Sequence, residues 1–211
     1  MGEIMDFWME NTIDFEKIPD QINSRLNYKE ENIAECTSAL TEYLTLWHYN
    51  TIEGTVTAAP FPENLLFLDL TWSNIKDFEG IGKFKKLKRL ELHYCTKLSS
   101  DVGLAEVSDT VEHLYINNCK KFIHSSELLK LKNLRYLRLN SCGDLGNLSF
   151  LSELPNLIDF RFVDTNVLDG DLTPILDHPT IQSVGYLNKR HYNIKDTKMD
   201  ELLKEKTRSE N

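Results

Sequence analysis

Residues 87–95 read LKRLELHYC and residues 134–142 read LRYLRLNSC, two copies of one phrase with leucine-type residues at its first, fourth and sixth places. The phrase returns as LLFLDLTWS from Leu65, VEHLYINNC from Val111, LIDFRFVDT from Leu157 and, degraded, IQSVGYLNK from Ile181. Its starts lie 22, 24, 23, 23 and 24 residues apart, and TEYLTLWHY from Thr41, 24 residues before Leu65, continues the register backwards. A fixed period of this length marks a stacked-repeat architecture.

Inside each phrase apolar residues alternate, as in Leu90 and Leu92 or Leu137 and Leu139, which predicts a strand with one buried face. Between phrases the apolar period lengthens to three, as in Ile75, Phe78, Ile81 and Phe84 or Leu145, Leu148, Leu151 and Leu154. That period suits tight 3₁₀ turns rather than a second strand. One coil cannot bury its own inner face, so the strands are expected to stack as a parallel sheet with the turns behind it. Turns are bulkier than strands spaced about 4.8 Å apart, so the sheet should line the concave side of an arc of about seven coils.

The phrases FKKLKRLELHYC, LKNLRYLRLNSC and LPNLIDFRF resemble leucine-rich repeats of the short kind, over about residues 41–193. The resemblance implies an α/β leucine-rich-repeat solenoid, a short horseshoe with a parallel sheet on its concave face. It also implies a scaffold for protein recognition rather than a reaction.

The ends must shield the open edges of such a stack. Residues 1–40 are expected to form an N-terminal cap, with a helix near 27–40 begun by Asn27 and Glu30 as a capping box. Phe7, Trp8, Phe15, Ile18 and Ile22 make the first residues too apolar for a free tail. Residues 194–211 are expected to supply a C-terminal capping helix, begun at Thr197 with Asp200, and a disordered tail.

Composition narrows the function classes. The 211 residues carry a formal net charge of −9, which disfavours nucleic acid and anionic membranes and suits a basic protein partner. Acidic residues at the start and no long apolar run lead to the expectation of a cytoplasmic monomer. Cys95, Cys119 and Cys142 share one slot of successive repeats, which argues for inward structural thiols rather than disulfides or zinc.

Residues between the inner leucines point away from the core and align in columns. The central column reads Thr45, Asp69, Glu91, Tyr115, Arg138, Arg161 and Gly185, acids at one end and arginines at the other. Like charges on neighbouring strands each cost about 0.2–1 kcal/mol, so either local ion pairs or a partner must offset them. Beside it run Trp47, Thr71, His93, Asn117, Asn140 and Val163, then His48, Trp72, Tyr94, Asn118, Ser141 and Asp164. Rings and arginines dominate protein interfaces, so the candidate partner-binding residues are Trp47, His48, Asp69, Trp72, Glu91, His93, Tyr94, Tyr115, Asn117, Arg138 and Arg161. Packing of Trp47 and Phe67 beneath the N-terminal segment is the competing assignment for those two rings.

No nucleophile elbow, Walker loop, zinc-pair or dinucleotide motif occurs, and Gly80–Gly82 falls on a turn. An open sheet offers Asp69 and Glu91 no cleft that excludes water, so no catalysis and no cofactor are expected. The leading expectation is a non-enzymatic module that binds one protein, such as an inhibitor or immunity protein neutralising a toxin. A regulatory or targeting adaptor, like the leucine-rich-repeat partners of phosphatases and ubiquitin ligases, is the alternative. A metal site at Glu91, His93 and His113 is a third.

Overall fold

A computed structural model describes residues 6–57 and 60–209 of the chain. Eight parallel strands form one sheet in strict chain order: β1 (Asn23–Asn27), β2 (Tyr43–Trp47), β3 (Phe67–Thr71), β4 (Arg89–His93), β5 (His113–Asn117), β6 (Tyr136–Asn140), β7 (Asp159–Arg161) and β8 (Ser183–Gly185). Equivalent repeat positions pair without slippage, Leu68 with Leu90, Leu90 with Leu114 and Leu114 with Leu137. Register holds because a one-residue slip would turn every inner leucine outward.

Single 3₁₀ turns at Ile81–Lys83, Leu104–Val107, Leu128–Lys130 and Ser149–Glu153 stack behind the sheet in the same order. Leu44, Leu46, Leu68, Leu70, Leu90, Leu92, Leu114, Ile116, Leu137, Leu139, Phe160 and Phe162 fill the space between, all buried. The cysteine slot points inward as expected. The thiols of Cys95, Cys119 and Cys142 donate to the carbonyls of Leu70, Leu92 and Ile116 on the neighbouring coil. Thr165 does the same to Leu139 over 2.6 Å. All four cysteines are free.

The N-terminal cap departs from expectation. Residues 23–27 form an eighth strand, and among the described residues of the cap the α-helix is a single turn, α1 (Ile33–Cys36). Asn32 caps it, its side chain accepting from the Ala34 N–H, while Glu31 reaches back to the Asn27 N–H over 2.7 Å. Asn27 is thus the end of a strand rather than the start of a helix. In β1 only Leu26 is fully buried, so its sequence carries too little alternation to announce a strand.

At the other end a short helix, α2 (Thr173–Asp177), replaces a 3₁₀ turn. The capping helix α3 (Asp196–Ser209) buries Met199 and Leu203 against the last coil. It includes Thr207 and Arg208, which were expected in a disordered tail; Glu210 and Asn211 lie outside the described residues.

Candidate functional site

The outward face of the sheet is not open. Residues 6–22 run across it as a strap with three 3₁₀ turns, at Phe7–Met9, Phe15–Lys17 and Asp20–Ile22. Trp8, Ile13 and Ile18 bury themselves with Tyr43 and Phe67 in a second apolar cluster, separate from the main core. Phe7 meets Tyr43 edge-on, Phe15 meets Phe67, and Trp8 meets His113 with ring centroids 5.8 Å apart. The first outward residues of β2 to β5, Tyr43, Phe67, Arg89 and His113, therefore lie under the strap. Arg89 is only 4% exposed, and its guanidinium donates to the carbonyls of Trp8, Glu10 and Asn11.

This corrects the premise of an uncovered concave sheet. Asp69, Glu91, Tyr115 and Arg138 line a cavity of about 140 Å³ with Asn11, Ile13 and Phe15 of the strap. Arg138 donates to the main-chain and side-chain oxygens of Asn11 and lies over the Tyr115 ring, 5.5 Å from its centroid. Trp47 is half-buried, with the Arg25 guanidinium 5.5 Å from its ring. Phe67 packs beneath the strap, but Trp47 meets Arg25 of β1.

Two of the four charges in the central column, Glu91 and Arg161, are compensated locally by residues two apart on the same strand. Arg89 holds Glu91 at 2.5 Å, and Arg161 grips Asp159 with two bonds of 2.9 and 3.0 Å. Burial pushes the Glu91 carboxyl up, but His93 at 3.0 Å and Arg89 more than offset it, leaving Glu91 below the usual range. Burial opposes charge on His93 as well, yet Glu91 and Asp69 prevail and raise it. Asp69 has the hydroxyl of Thr71 at 2.9 Å and no cation within ion-pair distance; burial lifts it to about 6.

Glu91 and His93 meet at 3.0 Å, but His113 does not complete a metal-holding group with them. His113 stacks on Tyr136 at 4.0 Å beneath Trp8, and burial with Arg89 and Arg138 nearby pushes it down to about 3. Among the described residues no group of three or more His, Cys, Asp or Glu side chains could hold a metal ion. No described helix is long and apolar enough to cross a membrane.

The strand ends carry a feature the sequence reading missed. His48, Trp72, Tyr94, Asn118, Ser141 and Asp164, one per coil, all adopt left-handed backbone with φ between 49° and 58°. A non-glycine residue there is strained, and bulky ones are outliers. The ladder places His48 flat on Trp72 at 5.2 Å and Trp72 beside Tyr94 at 6.1 Å. Trp72 is 50% exposed and Tyr94 46%. The stack continues as Asn118 and the Ser141–Asp164 hydrogen bond of 3.1 Å. Asn117 lies one row inward, its amide 3.3 Å from His93.

Parallel strands in chain order, a 22-to-24-residue period and inward leucine rungs make this molecule a leucine-rich-repeat solenoid. An internalin (inlF) from Listeria monocytogenes str. 4b F2365 is similar over 72% of this chain, at 14% identity and a TM-score of 0.33. The match spans 58% of that internalin structure. No protein-family model and no curated protein matches the chain.

Proposed function

We propose that this protein is a non-enzymatic module that captures one protein partner along the ladder of strand ends and the adjoining outward face. The observation that carries this is the pair Trp72 and Tyr94, half-exposed on backbone that would suit glycine. Folding alone gains little from large rings there, since left-handed backbone costs about 1–2 kcal/mol per residue. Anchors of this size bury much area for little lost rotamer freedom when a partner covers them.

His48 backs Trp72, and the carbonyls of His93 and Asn117 accept from the Trp72 and Tyr94 amides, so these five residues form the centre of the proposed surface. Arg161, partly exposed beside Asp159, marks its far end. Trp47, against Arg25, lies at the N-terminal margin of this surface, while Asp69, Glu91, Tyr115 and Arg138 share a cleft with the strap and would contribute only where that cleft is open. A net charge of −9 favours encounter with a basic protein, in keeping with an inhibitor or immunity role.

The test is capture of a partner from the native host by wild-type protein, compared with Trp72→Ala and Tyr94→Ala. Both variants are expected to keep their thermal transition and weaken binding by about 1–2 kcal/mol or more. Unchanged affinity in both would place the interface elsewhere. Loss of the partner's activity in the complex distinguishes an inhibitor from an adaptor.

A further inference from the structure

The strap fits the sheet imperfectly, and the misfit is informative. Between residues 6 and 21 the described main-chain hydrogen bonds within the strap are all local turns, such as Met9 N–H to Asp6 and Ile18 N–H to Phe15. No described strap amide pairs with the main chain of a strand, although the Trp8 backbone bonds the Tyr43 side chain. The body holds this segment through side chains: Arg89 and Arg138 on the carbonyls of Trp8, Glu10 and Asn11, and apolar sites for Trp8, Ile13 and Ile18. Such a segment can lift without breaking a ladder.

Beneath it polar groups are left unserved. The Arg138 Nε and, elsewhere on the outward face, the Thr45 hydroxyl are buried without a partner, and Asn11, Ile13 and Phe15 share a cleft of about 140 Å³, half open to solvent, with Asp69, Glu91, Tyr115 and Arg138. Buried polar groups are normally paired. A guanidinium is best matched by a carboxylate that takes two of its donors at once, whereas Asn11 offers two separate neutral oxygens.

We infer that the face beneath residues 6–18 is a binding site for an extended polypeptide segment, which the strap occupies in cis and a better-matched segment displaces. That segment presents main-chain carbonyls to Arg89, an aromatic and an aliphatic anchor in place of Trp8 and Ile13, and a carboxylate for Arg138. The overall charge of −9 does not forbid an acid there, because screening limits distant charges to about 8 Å at physiological salt while Arg138 acts in contact. The site rests on the reading of the molecule as a binding module but uses a different surface from Trp72 and Tyr94.

The probe is a fluorescein-labelled peptide of sequence DFWMENTIDFEKIPDQI (residues 6–22), with a second peptide carrying N11D. Titrated by fluorescence anisotropy into the full chain, both should bind a W8A/I13A variant at least about ten-fold tighter than wild type. In wild type the resident strap competes at an effective concentration in the millimolar range. The N11D peptide should bind tighter than the unmodified one, and adding R138A should remove that advantage. A folded W8A/I13A variant that binds neither peptide overturns the site.

Native-state hydrogen exchange on wild type guards against a variant that does not fold. Strap amides 8–18 should exchange at least about 100-fold faster than those of Leu90 and Leu114. Equal protection would make the strap part of the global core and end the proposal. Neither readout depends on Trp72 or Tyr94, so its failure leaves the rim reading standing.

Discussion

Trp72 has φ 55° and a half-exposed ring, and the two facts can be separated by substitution. Removing the ring as alanine keeps a Cβ on left-handed backbone, whereas glycine relieves it. Trp72→Gly is therefore expected to be about 1 kcal/mol more stable than Trp72→Ala by urea denaturation, the reverse of the order in ordinary strands, while both lose partner binding. Asp69 offers a second residue-scale test. Its carboxyl titrates near 6 rather than the ordinary 3.8, so the folded state binds more protons between those values. Stability then falls as pH rises from about 4 to about 6, and the penalty is complete above that window. His93, raised by Glu91 and Asp69, acts in the same direction, its contribution fading as pH rises through its folded pKa; Glu91, lowered, acts oppositely at acid pH. Two pKa units set a ceiling near 3 kcal/mol, and water at the half-buried carboxyl and the lost support for His93 reduce it. Asp69→Asn should gain about 1 kcal/mol at pH 7 and little at pH 4, measured by thermal unfolding. Little of this was legible in the sequence. The left-handed ladder left one trace there, His48, Asn118 and Asp164, types enriched in such backbone, in the slot they share with Trp72, Tyr94 and Ser141.

At the scale of an element, the strand phrase was legible because burial and periodicity say the same thing. Leu114 and Leu137 were placed inward from alternation alone, and both are fully shielded. Truncating Leu114 to alanine is expected to cost about 2–5 kcal/mol through the cavity it leaves, read as a lower denaturation midpoint with an unchanged slope. The slot that closes each strand works by hydrogen bonding as well as by size. The Thr165 hydroxyl donates to Leu139 over 2.6 Å and accepts from the Cys142 N–H over 2.9 Å. Thr165→Val keeps the shape and strands both groups, so a loss of about 2 kcal/mol is expected. Where alternation is weak the sequence misleads: NSRLN offers one inward leucine, and the Asn27 and Glu30 spacing resembled a helix start although Asn32 performs that role. Only the pairing of Ser24 and Leu26 with Leu44 and Leu46 reveals the strand.

Across the whole molecule, the stack was legible and the covering of its outward face only in part: packing of Phe67 beneath the N-terminal segment was foreseen as a competing assignment, the reach of the strap to β6 was not. Repeat spacing reports contacts between neighbouring coils, but the strap joins Asn11 to Arg138, 127 residues away, and no periodicity encodes such a contact. Apolar Trp8 and Ile18 required shelter, and the exposed rings of the first strands pointed to one surface that could give it without fixing how far along the sheet it ran. The same one-dimensional order shapes how damage should spread. In a stacked array each coil touches its neighbours alone, so stability is a sum of unit and interface contributions. The helix α3 packs on β8 and α2, and Met199 is fully buried there. Met199→Ala should therefore cost about 2–5 kcal/mol locally. It should speed amide exchange at Phe160 and Val184, while Leu90 and Leu114 keep their protection. Leu114→Ala, in the middle of the array, should instead accelerate exchange on both sides of its strand. If Met199→Ala raised exchange at Leu90 as much as at Val184, the coils would unfold as one cooperative unit, and the nearest-neighbour description would fail for an array this short.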